Sequence, residues 1–174
     1  MPRNWNSPPI WIPPVTTDVT PPSGHFVGLN HIFPVRVYYE DTDAGGILYH
    51  ASHIRFFERG RTEMLRRMGL EQRPMRETFD LLFVVRRLEI DYLRPAHLDD
   101  SLQVQTGVLD IHGARVTLCQ TLRRCEENHL LDAKHGAGLD LARAMVFLTA
   151  VNGRGKPTRL PITVAEQFSK LKAD

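Results

Sequence analysis

The stretch Tyr38-Tyr39-Glu40-Asp41-Thr42-Asp43-Ala44-Gly45-Gly46-Ile47-Leu48-Tyr49-His50 decides how the rest of the chain is read. It joins a run of strand composition, Phe33-Pro34-Val35-Arg36-Val37-Tyr38, to a segment from Ala51 to Gly69 that carries a helical stripe. Asp41, Asp43, the Gly45-Gly46 pair and His50 crowd into the junction, more polar chemistry than packing alone calls for. Adjacent glycines let the backbone turn tightly or approach a ligand where a side chain would clash. The helix start behind them offers unpaired N–H groups to negative charge.

Working outward, Ile54, Phe57, Arg61, Met64, Leu65 and Met68 recur at three- and four-residue steps, the stripe of an amphipathic helix with one charged interruption. Gly69 supplies its stop. Gly60 inside the helix costs roughly 1 kcal/mol relative to alanine, so the helix backbone is expected to press closely there on a sheet. On the other side, Ile32 to Tyr39 reads as a strand, with Pro34 placing it at a sheet edge or a strand start.

Beyond a loop with Pro74 the chain reads mainly as β-structure. Leu88, Ile90 and Tyr92 alternate with Arg87, Glu89 and Asp91, a half-buried strand ended by Pro95. Leu102 to Val108 starts the next strand, and His112-Gly113 turns it into Ala114 to Arg124 as a hairpin. Glu126 to Gly138 reads as a long polar loop, Leu139 to Val151 as a last strand, and Pro161 to Lys172 as a short helix. The order is strand, long helix, four strands: an α+β fold with a five-stranded antiparallel sheet covered on one face. The open face and the sheet edges call for a partner, and a homodimer supplies it.

Residues 1–30 carry Pro8-Pro9, Pro13-Pro14 and Pro21-Pro22, and read as an N-terminal extension to a single domain over 31–174. Trp5 and Trp11 lie in that extension, which is either disordered or docked through them. With 22 basic against 20 acidic residues the net charge is +2, an ordinary balance that argues against nucleic acid as a partner. Cys119 and Cys125 lie six residues apart on one strand, roughly 20 Å, whereas a disulfide needs α-carbons within about 7 Å. With no signal peptide and no apolar run long enough to span a bilayer, the expectation is a cytoplasmic protein.

A carboxylate on the loop before a helix can attack an acyl carbonyl or take a proton from water. Backbone N–H groups at the helix start then stabilise the oxyanion without reorganising. This makes Asp43 the candidate reactive carboxylate, an Asx-turn being the structural alternative, and gives Asp41 the task of holding the loop. His50 is read as a helix cap, a thioester contact or a partner of its own loop. His50, His53 and Glu58 do not fit the spacing of a helical zinc site, so neither metal nor cofactor is expected. Glu58 with Arg61 or Thr62, and Glu63 with Arg59, Arg66 or Arg67, read as helix-surface pairs.

From Val35 to Ser52, through Phe56-Phe57-Glu58-Arg59 to Arg61-Thr62-Glu63-Met64-Leu65, the sequence resembles the hotdog-fold acyl-CoA thioesterases. Within them it is most similar to the YbgC-type branch of the 4-hydroxybenzoyl-CoA thioesterase family, encoded in many bacteria with the Tol–Pal envelope system. The likeness runs from about Phe33 to Pro161 and includes Phe83-Val84-Val85-Arg86, Tyr92, Pro95-Ala96 and Leu98-Asp99-Asp100. It implies a long helix wrapped by a curved antiparallel sheet, subunits paired edge to edge as a homodimer or homotetramer, and sites at the subunit interface. It also implies acyl-CoA hydrolysis, with Asp43 as the catalytic aspartate and the helix N-terminus at His50 polarising the carbonyl across a gap for one acyl carbon. Tyr49, Gly46 and Arg86 are the expected substrate contacts, and acyl carrier protein is a further candidate partner. A rival reading is a non-catalytic adaptor that binds acyl-CoA or an acyl carrier for the envelope system. The chain departs from the family in its tail before His31, in a longer loop around Asp132 to Gly138, and in Gly60 where alanine is usual.

Overall fold

Gly60 sits where the sequence requires it, in the middle of a helix laid against a sheet. In the computed structural model, which describes residues 21–125 and 139–172, a Cβ added to Gly60 would lie 2.6 Å from Cγ1 of Val104 and 3.6 Å from Nε2 of Gln120. Residues 1–20 of the extension, with Trp5 and Trp11, and the 126–138 loop lie outside the described residues, whereas its last ten residues carry β1 and the first residue of β2.

The elements run β1 (His25–Val27), β2 (Asn30–Arg36), α1 (His50–Arg67), α2 (Gln72–Phe79), β3 (Leu82–Tyr92), β4 (Ser101–His112), β5 (Arg115–Arg124), β6 (Asp140–Val151) and α3 (Ile162–Ser169). The sheet is antiparallel, in the order β1-β2-β4-β5-β6-β3. It therefore has six strands rather than the expected five, because His25–Val27 folds back onto Asn30–Ile32 as a short hairpin. Three residues of mixed polarity carry no alternation to read. The strand expected to reach Tyr39 ends at Arg36, and Tyr39–Asp41 forms a 3-10 turn. Since β1 covers β2 only as far as Ile32, Pro34 lies where β2 is a free edge and its missing donor costs nothing. The loop expected around Pro74 contains helix α2, which Pro74 enters within the first turn, where no intrahelical donor is needed.

Alternation places Leu102, Val104, Thr106 and Val108 of β4, Val116, Leu118, Gln120 and Leu122 of β5, and Ala142, Ala144, Val146 and Leu148 of β6 on the covered face. Against it α1 buries Phe56, Phe57, Met64 and Leu65, each worth about 1.5–3 kcal/mol when fully buried. Ile54, read as part of the stripe, is instead 37% exposed, and Phe56 takes the core position. Register shifts at Val85/Arg87, Val108/Asp110 and Leu122/Arg123 raise the local twist and curl the sheet around α1. Among the described residues the sheet does not close: β3 is an unpaired edge, and its Val84 and Val85 are exposed.

The helix is held by polar bonds as well as by packing. Gln120, 1% exposed, donates from Nε2 to the Phe57 carbonyl (3.0 Å) and to Oγ1 of Thr106 (2.9 Å), and its Oε1 accepts from Arg61 (2.8 Å). Arg61 also pairs with Glu58, so the buried guanidinium is compensated. Thr62 joins Glu58 as well, and Glu63 pairs with Arg66, as the helical spacing suggests.

His31 in β2 is fully buried, with Nε2 2.8 Å from the Ser23 carbonyl and its ring edge-on to Phe26 at 5.2 Å. Burial pushes its pKa below the ordinary value, against the opposing pull of the Ser23 carbonyl and the Glu63 carboxylate.

Two measurements check this account. Gly60→Ala gains about 1 kcal/mol of helix propensity but drives a methyl into Val104, a cost of about 1–3 kcal/mol, so urea denaturation should show a net loss of about 1 kcal/mol. A gain would contradict the close approach. Below about pH 6.5 the unfolded chain binds a proton that folded His31 resists, so its contribution is complete above that value and is lost as pH falls toward the lowered folded pKa. Tm should therefore drop between about pH 7.5 and 5.5, and drop less in His31→Gln; equal slopes would contradict the assignment.

Candidate functional site

The glycine loop folds as a short ribbon that ends at the first turn of α1. The Tyr49 N–H donates to the Asp41 carbonyl (2.8 Å), Thr42 bridges Leu48, and the Asp43 N–H donates to the Ile47 carbonyl (2.9 Å). Asp43 thus lies opposite Ile47, and the chain between them turns through Ala44-Gly45-Gly46. The two glycines serve different ends. Gly46 has φ +74°, which glycine adopts without strain, whereas a Cβ on Gly45 would come 3.1 Å from Oδ1 of Asp43. The ribbon is pinned to the segment after β3 by the Leu48 N–H bond to the Ala96 carbonyl (2.8 Å) and a bridge between Ile47 and His97.

The two aspartates divide the work. Asp41 is 1% exposed, accepts the Tyr38 N–H on Oδ2 (3.0 Å), and supplies the carbonyl that holds Tyr49. It is the loop's anchor, as the sequence suggests. Asp43 is exposed; its Oδ1 accepts from the N–H groups of Gly45 (2.8 Å) and Ile47 (3.4 Å), while Oδ2 has no hydrogen-bond partner among the described residues. The Asx-turn and the free carboxylate oxygen, read as alternatives in the sequence, coexist on one side chain. The turn fixes Oδ1 and thereby aims Oδ2. Within one chain Asp43 faces open solvent, so the enclosed gap expected between it and the helix tip is not formed by a single subunit.

The start of α1 is uncapped. Its N-cap is Tyr49, which makes no side-chain capping bond; the Ser52 N–H donates to the Tyr49 carbonyl (2.9 Å), and the N–H groups of His50 and Ala51 are the two donors left without a side-chain cap. The His50 side chain is exposed, its ring tilted against Tyr49 at 4.2 Å. The backbone of His50, unlike its ring, belongs to the helix start: its N–H is the first amide of α1 and its carbonyl accepts the Tyr92 hydroxyl (3.1 Å). Tyr49 is 42% exposed beside it.

Arg86 stands apart from this cluster. It is the extra residue of the β3 bulge, six residues from Tyr92, or roughly 20 Å along the strand. It lines a cleft of about 400 Å³ with Arg87, His112, Arg115, Phe147 and Thr149. The structure thus brings Asp43, Gly46, Tyr49 and His50 together and leaves Arg86 elsewhere in the same chain. Among the described residues no group of three or more His, Cys, Asp or Glu side chains is placed to hold a metal ion.

Two residues at the helix start went unassigned by sequence reasoning. His53, 4% exposed, places Nδ1 3.1 Å from the Tyr49 carbonyl, and Tyr92 donates its hydroxyl to the His50 carbonyl at 3.1 Å. Helical side chains lean back toward the N-terminus, so the four-residue step from Tyr49 to His53 carried that signal. Nothing in the spacing announced Tyr92.

A family model described as the Thioesterase-like superfamily matches residues 37–168. The chain is 45% identical over 141 residues to the acyl-CoA thioesterase YbgC of Haemophilus influenzae, covering 80% of this chain and 95% of the relative. It is 37% identical over 139 residues to the acyl-CoA thioester hydrolase YbgC of Escherichia coli, covering 79% and 95%. Among solved structures, a probable thioesterase from Bartonella henselae superposes with a TM-score of 0.67 at 37% identity, over 76% of this chain and 99% of that one. The chain belongs to the Thioesterase-like superfamily, and the long helix on an open antiparallel sheet is its hotdog fold.

The roles of the two aspartates are separable by stability. Asp41→Ala removes the buried carboxylate that accepts the Tyr38 N–H and should cost about 1–3 kcal/mol. Asp43→Asn keeps the Oδ1 acceptor and should stay within about 0.5 kcal/mol of the parent. Denaturation curves showing the reverse order would overturn the division.

Proposed function

We propose that this protein hydrolyses acyl-CoA thioesters to the free acid and coenzyme A. The observation that carries the reading is the free Oδ2 of Asp43, held on a ribbon that ends at an uncapped helix start. The YbgC relatives, described as acyl-CoA thioesterase and acyl-CoA thioester hydrolase and matched over 95% of their length, support it.

In this mechanism the thioester carbonyl lies between the Asp43 carboxylate and the amide of His50. Asp43 adds to the carbonyl carbon, or takes a proton from a water that adds. The electron pair of the C=O bond moves onto oxygen, which the His50 N–H stabilises. Collapse of the tetrahedral intermediate re-forms the carbonyl and breaks the C–S bond, and coenzyme A leaves as the thiolate and takes up a proton. If Asp43 is the nucleophile, water then hydrolyses the resulting anhydride. Tyr49 and Gly46 line the approach of the acyl group. Arg86, in a cleft where three guanidinium groups, its own and those of Arg87 and Arg115, outnumber the one carboxylate of Asp110, suits the phosphates at the nucleotide end of coenzyme A.

A homodimer completes the site in this reading, and a pair of dimers gives a homotetramer. The bare β3 edge, with Val84 43% and Val85 48% exposed, is the kind of edge that pairs with another copy and would wall in the open side of Asp43. The cytoplasm suits a chain whose Cys119 is a free thiol and in which no described helix is long and apolar enough to cross a membrane.

The test is thiol release from short, medium, long and aromatic acyl-CoAs, run beside Asp43→Asn. The wild type should turn over at least one class, and Asp43→Asn should lose at least about 10²-fold in kcat, the scale of other central catalytic groups. Wild-type turnover by Asp43→Asn would reject the assignment. Equilibrium binding of acyl-CoA by the wild type with no thiol release would favour the adaptor instead.

A further inference from the structure

Two peptide groups open α1, and each has one end in the fold. The Tyr49–His50 group ends in the His50 N–H and the His50–Ala51 group in the Ala51 N–H, the first two donors of a helix that no side chain caps. The oxygens at the other ends of these groups accept bonds from side chains. The Tyr49 carbonyl receives Nδ1 of His53 and the His50 carbonyl receives the Tyr92 hydroxyl, both at 3.1 Å. A carbonyl oxygen only accepts, so the His53 proton sits on Nδ1. Burial, with the nearby His50 adding in the same direction, holds the pKa of His53 below the ordinary value although the Tyr49 carbonyl raises it, so the ring is neutral at pH 7. The Tyr92 ring meets the His53 ring edge-on at 5.0 Å and 88°, which ties the two donors together and links the helix start to the last residue of β3.

We propose that His53 and Tyr92 are positioning residues for the oxyanion site: each donates to the carbonyl of one of the two peptide groups whose N–H ends open the helix. The inference rests on the hydrolase reading above and deepens it. A hydrogen bond accepted by a peptide carbonyl polarises the whole amide and strengthens its N–H as a donor, by about 10–30% per bond. It also fixes the peptide plane, so the donors are aimed before charge develops and need not reorganise as it does. The effect belongs to the transition state, where the carbonyl oxygen carries charge, and not to the binding of coenzyme A.

The experiment uses the full chain and three variants, Tyr92→Phe, His53→Ala and His53→Gln, with Asp43→Asn as control. Steady-state thiol release from the preferred acyl-CoA is measured beside the Kd of S-butyl-CoA, a thioether that lacks the carbonyl. Tyr92 is 46% exposed and the phenylalanine keeps the ring, so this variant should fold like the parent. Its kcat should fall about three- to tenfold, less than the 10²–10³ of losing an oxyanion donor outright, with KM and the thioether Kd within about twofold of the parent. His53→Ala should fall further, and His53→Gln, which restores an N–H donor, should recover part of the loss. An unchanged kcat in Tyr92→Phe overturns the proposal, as does a KM and thioether Kd that worsen by the same factor as kcat/KM. A wild type that releases no thiol, or an Asp43→Asn that matches it, sinks the hydrolase reading and this inference together. Activity lost in Asp43→Asn but intact in Tyr92→Phe sinks the positioning role alone.

Discussion

The contact between the bare backbone at Gly60 and Val104 sets the distance between helix and sheet, and the site inherits its geometry from that distance. Gln120 reinforces it by bonding the Phe57 carbonyl on the helix, Thr106 on β4 and Arg61 one turn further along. A buried amide with each end satisfied locks both the height and the rotation of α1, which apolar packing alone does less sharply. With α1 so fixed, its first turn emerges beside the Tyr92 end of the edge strand and beside the ribbon that carries Asp43.

That ribbon resolves a conflict between order and reactivity. A carboxylate that must react needs a free oxygen, yet a glycine loop needs internal bonds to hold one conformation. The loop meets both needs with two aspartates, one buried at Tyr38 and one at the surface that commits a single oxygen to its own turn. The same economy appears at the helix start, where peptide oxygens are bound by His53 and Tyr92 while the first peptide N–H groups have no side-chain cap.

Much of the fold was legible because its signals are local. The period-two alternation of β3 to β6, the helical stripe of α1, the turn at His112-Gly113 and the misplaced-looking Gly60 each encode structure within a few residues. Helix α2 and strand β1 were missed for the same reason inverted: α2 has a proline in its first turn and β1 is three residues long, so neither carries a pattern. The exposure of Ile54 was missed because a stripe gives the angle of a helix face only to within a residue. For the candidate site, the density of Asp, Gly and His before the helix marks the ribbon that the structure forms there, and the chemistry proposed for it comes from the resemblance. The His50 ring is exposed, while its peptide group is bonded within the fold. Tyr92 contributes through a contact 42 residues away in sequence, which no local pattern reports.

In the described sheet β3 is an end strand, and Asp43 is exposed on its ribbon. The central claim is local, that the first amides of α1 polarise a thioester carbonyl. Infrared difference spectroscopy of a carbonyl-labelled acyl-CoA bound to Asp43→Asn measures that polarisation directly, because this variant keeps the loop's bonds while slowing turnover. The account predicts a carbonyl stretch shifted to lower frequency than that of the same thioester in water. A frequency equal to or above the solution value would show that no donor set reaches the carbonyl, and would contradict it.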